Sequence, residues 1–151
     1  MNQIAGLLRP TTVAVDVDVS SKKRLFETIG ELFATQGLSA SLVFESLLAR
    51  EKLGSTGLGQ GIAIPHGRIK GLKEAAGAFV RLRTPIAFDA PDNQPVSMIF
   101  VLLVPEQATD LHLHILGELA QLFSDPAMRT TLASQPDASA ILQAIGNWNA
   151  S

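Results

Sequence analysis

Val13, Val15, Val17 and Val19 alternate with Ala14, Asp16 and Asp18, the period-two pattern of a strand with one buried face. Ahead of it, Ile4, Leu7 and Leu8 fit one amphipathic turn in a lead-in over residues 1–10. Behind it, Ser20 or Ser21 can cap a helix that runs to about Gln36. Leu25, Ile29, Leu32 and Phe33 recur at helical spacing, and Gly37 supplies the stop. A second helix starts after Ser39 or Ser41, carries Leu42, Val43, Leu47 and Leu48, and ends near Arg50-Glu51, before Gly54.

The pattern then changes. Gly54, Gly57, Gly59 and Gly61 argue for loop and tight turns, and Ile62 and Ile64 alternate with Ala63 as a short strand does. Pro65 stops ladder pairing and Gly67 permits a sharp turn, so His66 is expected at the end of a strand, presented rather than packed. Residues 78–83 read as a strand, with a possible short one at Ile86–Phe88 and a turn at Pro91–Asn93. The nearly continuous apolar run Val96–Val104 is too short for a membrane span and reads as a central strand, ended by Pro105. Thr109 or Asp110 can cap a helix to about Phe123, with Leu113, Leu116, Leu119, Ala120 and Phe123 as its apolar set. Asp125-Pro126 opens another helix, and Ala138–Trp148 is the last. Strands separated by helices, one of them apolar on both sides, predict an α/β fold. The expected fold is a mixed β-sheet of four to five strands flanked by helices on both faces, a single domain over residues 1–151.

Composition narrows the function. Hydrophobic residues at 46% and charged residues at 17% exclude a disordered chain. A net charge of −2 gives no bulk positive surface for nucleic acid. With no cysteine there is no disulfide framework, thiol nucleophile or cysteine-ligated metal. No stretch has the pattern of a signal peptide or of a bilayer span, so a cytoplasmic protein is expected.

Three histidines remain to be weighed. A Pro-His-Gly corner offers His66 little to pack against, and a neutral imidazole is a competent nucleophile. His112 and His114, two apart on a helix, cannot face the same way. Leu113, Leu116 and Ala120 define the expected buried stripe, with His112 at its edge in the first turn, where it can bond an oxyanion; His114 reads as a solvated residue. A three-histidine zinc site is disfavoured, because the ligand spacing would need a strand where the neighbours read as helix. Arg50 is either a cation at a helix C-terminus or a fork that clamps phosphoryl oxygens, and Arg68 competes for the second role. Gly59-Gln60-Gly61 can cradle a phosphate or simply turn the chain.

These residues also carry a resemblance. Glu51, Leu58-Gly59 and Ile62-Ala63-Ile64-Pro65-His66-Gly67 resemble the phosphohistidine signature of the fructose/mannitol-type IIA domains of the bacterial phosphotransferase system. Val19-Ser20-Ser21-Lys22-Lys23-Arg24 before a helix, and Gly61 to Arg68, are most similar to its nitrogen-regulatory branch. The resemblance implies that His66 accepts a phosphoryl group from an HPr-like carrier (NPr), itself loaded by enzyme I of the nitrogen branch. It implies Arg50 beside the phosphohistidine and His112 as a second histidine that assists by hydrogen bonding. From the residues themselves, the glycine-rich turn with Gly59, Gln60 and Gly61, together with Gly67 and Arg68, is expected to surround the phosphoryl group. Some sugar-transporting members have glutamate where this chain has Gln60. The carrier is expected to dock on an apolar rim including Leu58 and Ile69. No cofactor, metal or nucleic acid is implied, and regulated partners such as potassium-uptake components or sensor kinases are. With no cysteine and no membrane segment in this sequence, the IIB and permease parts of a sugar-uptake system are expected on separate chains.

Overall fold

In a computed structural model, residues 2–107 and 110–149 are described, and six strands form one mixed sheet. In chain order these are β1 (Val13–Val17), β2 (Gly57–Gly59), β3 (Ile62–Ala63), β4 (His66–Ile69), β5 (Ala76–Ile86) and β6 (Val96–Pro105). The central strand is β6. It pairs antiparallel with β5 on one side and parallel with β3 and β4 on the other. Beyond β5 lies β1, parallel to it, and β2 folds back antiparallel on β3. Because side chains alternate across a strand, Met98, Phe100, Leu102 and Val104 enter one core while Ile99, Val101 and Leu103 enter the other. That is why the run had to be apolar at almost every position.

Each face is covered by helices. On one lie α1 (Lys22–Ala34) and α2 (Ala40–Lys52), which bury Leu25, Phe26, Ile29, Phe33, Val43 and Leu47. On the other lie α3 (Asp110–Ser124), α4 (Pro126–Ser134) and α5 (Ala138–Asn147). Their Ile115, Leu119, Leu132 and Ile141 pack with Ile4 and Leu8 from the lead-in. The caps are Ser21, Ser39, Asp125 and Asp137, each accepting a backbone N–H of its helix's first turn. The alternative Thr109 cap of α3 lies outside the described residues. The Asn2 amide donates to the carbonyls of Ile145 and Trp148, both at 2.7 Å, and so ties the start of the chain to the end of α5.

The α/β class and the helices on both faces agree with the sequence, but the sheet has six strands rather than four or five. The additional pairing comes from β2 and β4, which are only three and four residues long. The strand expected at 78–83 is longer, a single β5 that runs through Pro85 to Ile86, and beyond Ile86 the short strand expected to Phe88 does not form. The register of β5 against β6 shifts between Arg81 and Ile86, which accommodates a residue with no N–H to donate. The end of β1 comes at Val17, before Val19, with Asp16 in the left-handed region at φ 57° and an irregular register.

Candidate functional site

The last turn of α2, the start of β4 and the first turn of α3 meet around an open pocket of about 560 Å³. Arg50 reaches it from α2, His66, Gly67 and Arg68 from β4, and Asp110 and His112 from α3. His66 opens β4 rather than closing a strand, because Pro65 interrupts the run between β3 and β4 while both lie against β6. Gly67 is not a turn. It pairs with Leu103, and a Cβ there would collide with Oγ of Ser46 on α2. The missing side chain lets α2 sit close against β4. The Ser46 hydroxyl in turn donates to the Arg68 carbonyl at 3.0 Å.

Both imidazole nitrogens of His66 have partners. Nδ1 lies 3.0 Å from the Ile64 carbonyl, which can only accept, and Nε2 lies 3.2 Å from Arg50 Nε, which can only donate. The two contacts independently specify one tautomer: the proton sits on Nδ1 and the lone pair on Nε2. Arg50 is held at its far end by the Gly54 carbonyl, 2.8 Å from Nη1. Arg50 is thus the arginine in contact with the imidazole, while Arg68 is an exposed second cation on the same pocket. His114 points elsewhere. It is 68% exposed, lies 3.4 Å from Glu118, and does not line the pocket, so the three histidines do not converge. Among the described residues no group of His, Asp or Glu is arranged to hold a metal ion.

Three expectations are corrected. Gly59, Gln60 and Gly61 are not at the pocket. They form the β2–β3 hairpin turn, with φ of 95°, 58° and 81°, the left-handed geometry of a tight two-residue connection. The Gly61 carbonyl accepts from Ser97 and Met98, whereas His66 pairs with Leu102, which places the turn roughly 15 Å along the sheet. The Gln60 N–H already donates to Asp92 at 2.9 Å. That bond and one from Gln94 hold the Asp92 carboxyl below the usual carboxylate range. A phosphoryl group would meet a like charge there.

The docking rim also differs. Ile69 is buried in the core and Leu58 does not line the pocket. The apolar rim is Leu53 and Leu113, 85% and 68% exposed. Leu113 and Ala120 are therefore not in the buried stripe of α3, which is set by Ile115, Leu119, Leu122 and Phe123. Sequence reasoning passed over Leu53, just beyond the end of α2. The available signal was an apolar residue between Lys52 and Gly54, where nothing follows to bury it.

The family description "Phosphoenolpyruvate-dependent sugar phosphotransferase system, EIIA 2" matches residues 6–148, and the chain belongs to that family. Within the family, the similarity is strong to proteins called nitrogen regulatory protein. The one from Klebsiella oxytoca is 49% identical over 138 residues, covering 89% of this chain and 85% of that one. The one from Pseudomonas aeruginosa is 44% identical over 147 residues, 96% of each chain. Nitrogen regulatory protein IIA-Ntr from Neisseria meningitidis superposes with a TM-score of 0.90 at 51% identity, covering 95% of this chain and 99% of that one. No helix among the described residues is long and apolar enough to cross a membrane.

Proposed function

We propose that His66 is a phosphoryl acceptor, loaded by the phosphohistidine of an HPr-like carrier protein (NPr). In this reading the protein regulates other proteins according to whether that group is present. The observation that carries it is the pair of contacts that leaves the lone pair on Nε2 and the proton on Nδ1. Nε2 attacks phosphorus in line as the donor's N–P bond breaks, and the carrier's imidazole leaves with the electron pair of that bond. The ring of His66 then carries a phosphoryl group on Nε2, a proton on Nδ1 and a positive charge. Its bond to the Ile64 carbonyl becomes charge-assisted and stronger in the product. Arg50 loses its acceptor on Nε2 at the same moment, and its Nε–H is released to the phosphoryl oxygens. One guanidinium thereby serves both states. His112 and Arg68 line the same pocket and supply further donors to those oxygens.

The exposed Leu53 and Leu113 beside the cations offer an apolar docking rim for the carrier. Phosphorylation adds roughly two negative charges to this surface, enough to change which protein it accepts. The 44–49% identity to nitrogen regulatory proteins favours a regulatory role; potassium-uptake components or sensor kinases are the partners proposed for it. The similarity to the Bacillus subtilis fructose-specific EIIABC component is weaker, 28% over 145 residues and 23% of that protein's length, and leaves sugar uptake, with phosphate passed to a separate IIB, as the second reading. Intact mass after incubation with phosphoenolpyruvate, enzyme I and the carrier tests the proposal. One acid-labile phosphoryl group is expected on the wild type and none on His66→Ala. Equal gain in both overturns the assignment.

A further inference from the structure

Glu51 is a buried carboxylate that the chemistry above does not use. Its side chain is 4% exposed, and every contact it makes is to a donor. Lys22 Nζ lies 2.8 Å from Oε2. The Thr56 hydroxyl donates to Oε1 at 2.6 Å, and the Thr56 N–H is shared between both oxygens at 3.2 Å. Lys22 is itself fixed by the Phe88 ring, 4.4 Å away, and by Asp89 at 3.5 Å. The next links lead to the pocket. The Thr56 carbonyl accepts the Ile64 N–H at 3.0 Å, and the Ile64 carbonyl faces His66 Nδ1 at 3.0 Å. Glu51 also follows Arg50 directly, on the same last turn of α2, and Arg50 holds the other imidazole nitrogen. The bonds form a closed circuit from Glu51 through Thr56 and Ile64 to His66, and back through Arg50.

We infer that Glu51, braced by Lys22, is a positioning residue that keeps His66 in the Nδ1–H tautomer; the inference rests on the reading of His66 as acceptor. The tautomer is set by the Ile64 carbonyl on one side and by Arg50 on the other; the direction of the first depends on the Thr56–Ile64 bond, and the second is carried by the residue that precedes Glu51 on the last turn of α2. Thr56 is in turn held by the carboxylate. A histidine side chain in water prefers its proton on Nε2, which would leave no lone pair on that nitrogen to attack phosphorus and would turn the one on Nδ1 toward the Ile64 carbonyl. A carboxylate suits this place because it only accepts, with lone pairs enough for two Thr56 donors and an ammonium. An amide of the same shape would turn a donor toward either Thr56 or Lys22. Glu51 touches neither the phosphoryl group nor the carrier in this arrangement. Its effect therefore falls on the transfer step and not on docking.

The test uses the full chain, with imidazole 15N–1H correlation spectra and single-turnover phosphorylation by the phosphorylated carrier. In Glu51→Gln the Nε2–H tautomer of His66 becomes visible. The maximal transfer rate drops by about ten- to a hundredfold, as small misplacements of a reacting group do. The half-saturating carrier concentration stays unchanged. Thr56→Val follows Glu51→Gln in the same direction while Thr56→Ser keeps wild-type behaviour, and this pair decides the matter should Glu51→Gln not fold. A folded Glu51→Gln with the wild-type tautomer overturns the inference, as does a Thr56→Val that matches Thr56→Ser. A tautomer shift in a protein whose wild type takes up no phosphoryl group would instead sink the acceptor reading and leave the positioning role standing.

Discussion

The two ends of the segment from Gly57 to Ile69 look alike as sequence, each a glycine-bearing corner beside a short strand, yet they are built for opposite charges. At the hairpin tip, Gly59, Gln60 and Gly61 turn the chain with positive φ, and the free N–H of Gln60 is filled by the Asp92 carboxylate. At the other end His66 is flanked by Arg50 and shares its pocket with Arg68, His112 and one carboxylate, Asp110, which the two arginines outnumber, while Gly67 is needed for contact with Ser46. A glycine in sequence announces backbone freedom or close approach. Whether the exposed N–H groups await an anion is settled by the side chains folded against them, here Asp92 alone at the tip and two arginines against Asp110 at the pocket.

Removing the cation at the His66 end has the largest expected effect. Arg50→Ala is predicted to lower the rate of phosphoryl acceptance by roughly 10²–10³, the usual cost of deleting one oxyanion donor. Arg50 also holds the imidazole through Nε2, and Arg50→Lys, which lacks the fixed fork, recovers only part of the rate. Gln60→Gly at the opposite end leaves the rate at the wild-type value. Time courses of phosphorylation at a fixed carrier concentration make the comparison. Equal losses from the two ends would mean that the separation drawn between them is wrong.

A middle-sized effect is expected from closing the gap at Gly67. The Cβ of Gly67→Ala would overlap Ser46 Oγ and lie 3.2 Å from Ser46 Cβ, so the Ser46 hydroxyl must leave its bond to the Arg68 carbonyl and α2 must give by a few tenths of an ångström. Overpacking of this kind costs about 1–3 kcal/mol. Ser46→Gly alone is also destabilising, by about 1 kcal/mol for glycine inside a helix. In the double variant the two costs combine to less than their sum, because the second removes the atoms that the first strikes. Urea melts of the four proteins give the coupling directly. Strict additivity would show that the approach of α2 to β4 does not limit this corner.

These contrasts also explain how far the sequence could be read. The long, periodic elements were legible because burial leaves a repeating mark: the double-sided β6, the amphipathic α1 and the Ser and Asp caps. His66 was singled out by its motif and Arg50 and His112 by the wider resemblance, and the three line one pocket. Short strands left no such mark. Gly57-Leu58-Gly59 cannot alternate polar with apolar, and β4 begins with His66 and Gly67, neither a strand former. In α3 the apolar residues Leu113, Ile115, Leu116, Leu119 and Leu122 allow more than one stripe, and the choice between Leu113 and Ile115 is made by the sheet it rests on. Bonds between distant residues, Lys22 to Glu51 or Gln60 to Asp92, have no local signature at all.

The smallest predicted effect separates the two ends by pH. Asp92 accepts the N–H groups of Gln60 and Gln94, and its carboxyl is held below the usual range, so its pKa is lower folded than unfolded. A depressed folded pKa means that the unfolded chain binds the proton first as acid is added. The stabilisation is therefore complete above the ordinary carboxylate value of about 4 and is lost as pH falls below it. Asp16 behaves alike through Arg83, so the raw acid dependence belongs to both. The difference between wild type and Asp92→Asn isolates the hairpin: Asn can still accept but does not titrate. The two urea midpoints should differ most near neutrality and converge in acid, while phosphoryl acceptance at neutral pH is the same in both. Were Asp92→Asn to slow phosphoryl acceptance as Arg50→Ala does, the hairpin tip and the His66 corner would have to be treated as one site.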